Sequence, residues 1–374
     1  MKIGIDISQV VYIGTGVATY TQNLVRALVT YYPEHEYVLF GSTLRRKKQL
    51  NDFVDLLPRQ NSITTKFYSL PPTVLSLMWN NLHAPQIEHF IGKTDVFHSS
   101  DWTEPPSRIP KVTTIHDMIV YRHPETLDSR IIDVQRNKLI WVKKESSAII
   151  VDSESTKIDV VMYLKVPDTK IHVIHLGVDE IYTPQKSYRV GKVRKKYKLV
   201  GKYILCVGTR EPRKNLDRLI RAFQELESQD FTLVIAGNPG WGDEVARYSK
   251  MRVLGFVPAV DMPALYSGAS CFIYPTLYEG FGLPVLEAMA CGTPVVASSR
   301  GSLKEITGNL AIVVDPENIN SILDGLKLVL RMSKSERIRI SNKGRTHAAQ
   351  YTWRKAAEKT INVYKSVVKK ENQI

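Results

Sequence analysis

Cysteine is scarce: the chain has 3 in 374 residues. Cys206, Cys271 and Cys291 each lie in an apolar context, of which Ile204-Leu205-Cys206-Val207 is typical, and no pair has metal-ligand spacing. A disulfide scaffold and a cysteine metal site are thereby excluded, and buried free thiols in a reducing compartment are expected. Long apolar runs are missing too. No uncharged stretch approaches the roughly 18–20 residues of a membrane span. The opening Met1-Lys2-Ile3-Gly4-Ile5-Asp6 reads as a strand, with Asp6 interrupting any signal-peptide core, so a cytoplasmic protein is expected. There is no 20–50-residue repeat and no low-complexity tract.

What is present fits a soluble two-domain protein. Apolar residues make up 43% and charged residues 24%, and this length exceeds one ordinary core of about 150–200 residues. The net charge of +14 is unevenly placed. Residues 1–185 hold 20 Lys and Arg against 20 Asp and Glu; residues 186–374 hold 31 against 17. Within that half, 186–202 carries eight bases and no acid, and 334–374 eleven bases against three acids. These clusters are either solvated helix faces or contacts with an anionic membrane surface or acceptor. Neither interleaves aromatics as a base-stacking platform does, so nucleic acid is not an expected partner.

Short apolar runs alternate with helical periodicity. Ile3–Ile7, Tyr37–Phe40, Val112–Ile115 and Ala148–Val151 read as strands, with helices at Val17–Val29 and Ile131–Lys144. Beyond them, Tyr203–Val207, Thr232–Ala236, Val253–Leu254, Cys271–Tyr274, Val295–Ala297 and Ala311–Val313 read as buried strands. Leu216–Glu227, Met262–Ser267, Pro284–Ala290 and Ile319–Met332 read as the helices between them. This rhythm predicts an α/β chain with two doubly wound parallel sheets. The expected domains are 1–182 and 183–351, with a helix in 352–374 returning toward the first. Ligands of such sheets bind beyond the carboxyl ends of the strands, so the strand-to-helix turns matter most.

Gly14-Thr15-Gly16 directly precedes a helix, where free N–H groups favour an anion. With Thr19 at the third glycine position and no P-loop lysine, a tight turn without ligand is an equal reading. The strand ending at Ile115 delivers His116 and Asp117, either to a ligand or to local hydrogen bonds; His98 stands at another strand end with a weaker claim. Gly208-Thr209-Arg210-Glu211-Pro212-Arg213-Lys214-Asn215 sets three cations where a diphosphate could be neutralised. Most specific is Tyr278-Glu279-Gly280-Phe281-Gly282-Leu283-Pro284-Val285-Leu286-Glu287. Its Pro284 suits a helix's first turn, which would carry Glu287, while Glu279 sits in a glycine-flexed loop that folds back toward it. Two carboxylates beside a phosphate site can accept hydrogen bonds from sugar and ribose hydroxyls. The plainer reading of Glu287, dipole stabilisation at a helix start, leaves Glu279 and the glycines unexplained. Leu70–Ile91, with Leu75, Leu77, Met78, Trp79 and Phe90, is either an exposed apolar surface or a packed helix.

On these motifs, together with Tyr351-Thr352-Trp353, the chain resembles the retaining glycosyltransferases of family 4 (glycosyl transferases group 1). These have two facing Rossmann-like domains, the GT-B fold. The Gly-Thr-Arg-Glu-Pro-Arg-Lys-Asn form is most similar to the mannosyltransferase branch. The resemblance implies that Glu287 binds the ribose hydroxyls and that Glu279 with Gly280, Phe281, Gly282 and Leu283 holds the donor sugar. It implies Arg213 and Lys214 on the diphosphate, with Arg210 assisting and Gly16 approaching from the opposite domain. His116 would line the reacting centre and Val257 would meet the base. The implied reaction moves a hexose, mannose foremost, with retention, and the diphosphate leaves as an acceptor hydroxyl arrives on the same face. GDP-mannose is the favoured donor, with UDP-glucose open; the acceptor is a glycan or lipid-linked, taken up at the membrane's inner face. No Asp-x-Asp pair is present, so no essential metal is expected. A nucleotide-sugar epimerase or a non-catalytic nucleotide-sugar-binding protein would share the architecture, and a dehydrogenase would need an acid at the end of strand two that is not there.

Overall fold

The computed structural model describes residues 1–58, 63–226, 230–241 and 249–371. The chain forms two compact units, one of residues 1–177 and 353–374 and the other of 178–352. The first unit holds β1 (Lys2–Asp6), β2 (Glu36–Ser42), β3 (Ile63–Tyr68), β4 (Val96–Ser99), β5 (Lys111–Ile115), β6 (Ala148–Val151) and β7 (Ile171–Val173). They lie in the order β3-β2-β1-β4-β5-β6-β7, every pairing parallel. Ala148-Ile149-Ile150-Val151 is buried throughout, as expected of a strand covered on both faces. Helix Gly16–Tyr31 follows β1, and the Thr15 hydroxyl caps it by accepting from Ala18 N–H at 3.3 Å. Helix Trp353–Glu371 belongs to this unit and buries Trp353, Ile361, Tyr364 and Val367.

The second unit holds β8 (Lys202–Val207), β9 (Phe231–Ala236), β10 (Met251–Gly255), β11 (Cys271–Tyr274), β12 (Val295–Ser298) and β13 (Ile312–Val314). Their order is β10-β9-β8-β11-β12-β13, again all parallel. Its core gathers Ile204, Leu219, Phe223, Leu233, Ile273, Val296, Ile322 and Leu326. All three cysteines are free and buried. The helix expected over Leu216–Glu227 closes at Gln224, and Glu227 itself lies outside the described residues.

The stretch Leu70–Ile91 resolves toward packing at its aromatic centre. Trp79 is fully buried, donates from Nε1 to Pro85 O at 3.0 Å and meets Phe40 and Phe90 at 5.6 and 5.5 Å between ring centroids. Leu77 and Leu82 of this stretch remain exposed. Among the described residues no helix is long and apolar enough to cross a membrane.

Candidate active site

The strand order reverses between β8 and β11 in the second unit and between β1 and β4 in the first. Loops leaving the carboxyl ends on either side of such a reversal diverge and open a crevice. In the second unit those loops are 208–215, after β8, and 275–282, after β11. Because Cys271 and Phe272 pair with Ile204 and Leu205, the two loops start side by side.

Pro212 opens a single 3-10 turn, and Asn215 closes it with φ of 58°, a conformation asparagine tolerates. Its Nδ2 donates to Pro275 O at 2.9 Å and Pro316 O at 2.7 Å, tying the turn to its neighbouring loops. The two cations inside the turn are thereby aimed at Glu279. Lys214 Nζ donates to Glu279 Oε1 at 2.6 Å and to the Tyr274 hydroxyl at 2.7 Å. Arg213 Nη1 lies 2.9 Å from the same carboxylate oxygen, while its Nε donates to Glu211 at 3.2 Å. Burial alone would raise the Glu279 carboxyl, but Arg213 and Lys214 hold it below the usual carboxylate range. Burial, reinforced by Arg213, lowers the Lys214 ammonium. Arg213 and Lys214 are thus balanced by Glu279 and Glu211, and this charge-paired cluster fixes two cationic side chains where a diphosphate could be met.

The Glu279–Gly282 loop is held from beneath. Ser302 donates from its backbone N–H to Glu279 O at 3.0 Å and from its hydroxyl to Phe281 O at 2.8 Å. Gly282, at φ of 97°, leads into helix Leu283–Ala290. Glu287 stands in the second turn of that helix rather than its first, so a helix-start dipole does not account for it. It is partly buried instead beside two phenols: the Tyr266 hydroxyl donates to Oε2 at 2.8 Å, and Tyr182 also donates to it. Burial raises its carboxyl to about 7, against the lowering effect of those two donors and with Asp179 adding to the rise.

The other residues expected at the donor site lie outside this hydrogen-bonded cluster. Val257 is buried just beyond β10. Arg210 is fixed by its backbone N–H to Asn238 O at 3.1 Å, and its Nε has no hydrogen-bond partner among the described residues. Gly16 is the first residue of its helix, and a Cβ there would meet nothing within 4 Å. Gly14, at φ of 86°, makes the preceding turn.

In the first unit, parallel pairing of Ile115 with Val151 sets the next residues, His116 and Asp152, side by side past the strand ends. His116 Nδ1 lies 2.7 Å from Asp152 Oδ2. Burial would lower the imidazole, but the Asp152 carboxylate raises it above its ordinary value. Asp117 caps a turn, accepting from Ile119 N–H at 3.0 Å. His98 is buried with both ring nitrogens engaged, one to the Tyr364 hydroxyl at 2.6 Å and one to the Thr114 hydroxyl at 2.9 Å. Burial pushes its ring down to about 3, so it stays neutral. Asp152, Tyr274, Tyr266 and Ser302 carry much of this geometry without belonging to a motif. Asp152 had a readable signal, since it follows a strand just as His116 does.

Known proteins share both halves. Residues 192–347 match the family described as glycosyl transferases group 1, and residues 14–182 match glycosyltransferase family 4. An uncharacterised glycosyltransferase of Methanocaldococcus jannaschii is 31% identical over 77% of this chain and 81% of its own. The chain belongs to glycosyltransferase family 4. The O-antigen chain mannosyltransferase B of Escherichia coli is 29% identical to this glycosyltransferase over 98% of its chain and 100% of the relative. The Anabaena HepE protein, solved in complex with UDP-glucose, superposes with a TM-score of 0.70 at 15% identity over the full length of both chains. The glycosyltransferase therefore has the GT-B fold, an α/β architecture of two parallel sheets.

Proposed function

We propose that this glycosyltransferase moves a mannosyl group, with retention, from GDP-mannose to a hydroxyl of a glycan or lipid-linked acceptor. The observation that carries the donor half is the sharing of Glu279 by Arg213 and Lys214 at 2.9 and 2.6 Å. In the donor complex those cations neutralise the diphosphate, with Arg210 extending the same charge. Glu279 and the Gly280-Phe281-Gly282-Leu283 backbone hold the sugar, Glu287 takes the ribose hydroxyls, and Val257 meets the base. The free helix start at Gly16 approaches the diphosphate, and His116 lines the reacting centre. Mannose is supported by the mannosyltransferase relative that matches nearly the whole chain; the HepE complex keeps UDP-glucose as the comparison donor. Charge stabilisation of the departing diphosphate by fixed cations supplies the catalysis, so no divalent metal takes part. The reaction is set at the inner face of a membrane for a lipid-linked acceptor.

Calorimetric titration with GDP-mannose and UDP-glucose, each with and without EDTA, tests this reading beside Glu287→Ala. Tight EDTA-insensitive binding of GDP-mannose, weakened in the variant, is expected. Binding of UDP-glucose alone would replace the donor. No binding of either would remove the assignment of the glutamate motif.

A further inference from the structure

His116 is held by more than one neighbour, and the way it is held determines what its free nitrogen can do. Asp152 approaches Nδ1 at 2.7 Å from the end of the adjacent strand, with its side chain only 3% exposed. The Tyr20 ring forms a T-shaped pair with the imidazole, 4.5 Å between centroids. Tyr20 is itself anchored by its hydroxyl to Thr114 at 2.8 Å, and Thr114 to His98, whose far nitrogen meets Tyr364 on helix Trp353–Glu371. The imidazole is thus held by a hydrogen bond at Nδ1 and by a packed aromatic ring. A cavity of about 20 Å³, lined by His116 with Asp6, Tyr20, Ser100 and Asp101, adjoins it.

Asp152 shows the marks of a residue kept for this contact. It is buried, its Oδ2 is given to His116, and its Oδ1 has no hydrogen-bond partner among the described residues. A buried carboxylate oxygen left unpaired costs free energy that packing alone does not return. A hydrophobic residue at this strand end would avoid that cost, and the one hydrogen bond the carboxylate makes among the described residues is to the imidazole.

We propose that Asp152 is the positioning residue of the transfer reaction: by binding Nδ1 it fixes the plane of His116 and presents Nε2–H to the reacting oxygens. This rests on the reading that His116 lines the reacting centre. An imidazolium paired in this way donates through Nε2–H and keeps its charge. It can stabilise the negative charge that develops on the departing diphosphate oxygen, with no proton changing hands. The other groups acting on the ring are Asp101, from the loop after β4, which favours the charged form, and Lys138, from helix Ser129–Glu145, which opposes it. His98 on β4 is neutral and adds no charge, and Tyr20 packs on the ring with its hydroxyl given to Thr114.

The test combines the ring's own signal with turnover. In uniformly ¹⁵N-labelled protein, the imidazole correlations are followed from pH 5 to 9, and His116→Gln identifies the His116 pattern. The wild-type ring should titrate above the ordinary value of about 6.5 and show an Nδ1–H form once neutral. In Asp152→Asn, which keeps an acceptor but loses the charge, the midpoint should fall by about one unit or more. Release of GDP from GDP-mannose, assayed in parallel, should show lower kcat with little change in KM. Its loss of activity at high pH should begin lower by the same shift. A wild-type ring that titrates at or below the ordinary value overturns the proposal, and this holds even if the asparagine variant fails to fold. An unshifted titration in a folded Asp152→Asn overturns it as well. Full turnover by His116→Gln would instead sink the placement of His116 at the reacting centre, leaving the ring titration to judge the Asp152 contact by itself.

Discussion

Glu279 and Glu287 are eight residues apart and share a motif, yet their surroundings drive them in opposite directions. Glu279 sits between two cations and stays ionised far below neutrality. Glu287 sits beside two phenols, and burial brings its carboxyl to about 7. A ribose hydroxyl that donates to a carboxylate loses a charged acceptor when the carboxyl protonates, and the bond weakens. Nucleotide affinity should therefore be full above pH 8 and fall as the pH drops through 7. A hydrogen bond to a charged group contributes about 1.5–3 kcal/mol, so the fall is roughly tenfold or more. Calorimetry with GDP between pH 5.5 and 8.5 measures it. Glu287→Gln should bind weakly at every pH, and a wild-type profile as flat as the variant's would remove Glu287 from the ribose. The motif itself could be read from the sequence. The environment that separates its two carboxylates could not, because Tyr266, Tyr182 and Tyr274 come from elements distant in the chain.

At the level of elements, the donor loop depends on a glycine outside the motif. Gly301 has φ of 59°, and a Cβ there would lie 2.4 Å from Glu279 O. The cost of the left-handed backbone is about 1 kcal/mol for a non-glycine residue, and the contact with backbone must be relieved by moving the loop. Gly301→Ala should thus lower GDP-mannose affinity by more than it lowers the melting temperature, since the displaced carboxylate releases Lys214 and Arg213 from their set positions. Equal affinity in the variant would show that the loop's seat on Ser302 is not what orders it. Strands with continuous apolar runs, such as Ala148–Val151 and Cys271–Tyr274, were legible because burial on both faces leaves a signature. β3 and β7 were not. Ile63-Thr64-Thr65-Lys66-Phe67-Tyr68 lies at the sheet edge with three exposed positions, and Ile171–Val173 is three residues long. Edge strands need less apolar surface, so periodicity registers them weakly. The helix read from Pro284 starts one residue earlier, at Leu283, and that single residue moves Glu287 from the first turn into the second.

Over the whole molecule, the sequence crosses between its two units at Gly177–Val178 and at Thr352–Trp353, and each unit has a sheet with one reversal of strand order. The first unit cannot be assembled from the leading residues alone, because helix Trp353–Glu371 supplies Tyr364 to His98 and Trp353 to the packing around Tyr20. The nucleotide contacts proposed above all come from the second unit, apart from Gly16 and His116. Bound nucleotide at a thousand times its Kd stabilises the structure that binds it by about 4 kcal/mol. Hydrogen exchange with saturating GDP should therefore slow most in segments 203–215 and 271–290. Segments 148–166 and 353–371 should exchange as they do in the free protein. Helix Trp353–Glu371 is the sharper of these controls, because it adjoins the second unit in sequence while packing in the first. Slowing there equal to that around Lys214 and Glu279 would mean that further residues of the first unit hold the nucleotide, and the donor assignment would have to extend beyond Gly16 and His116.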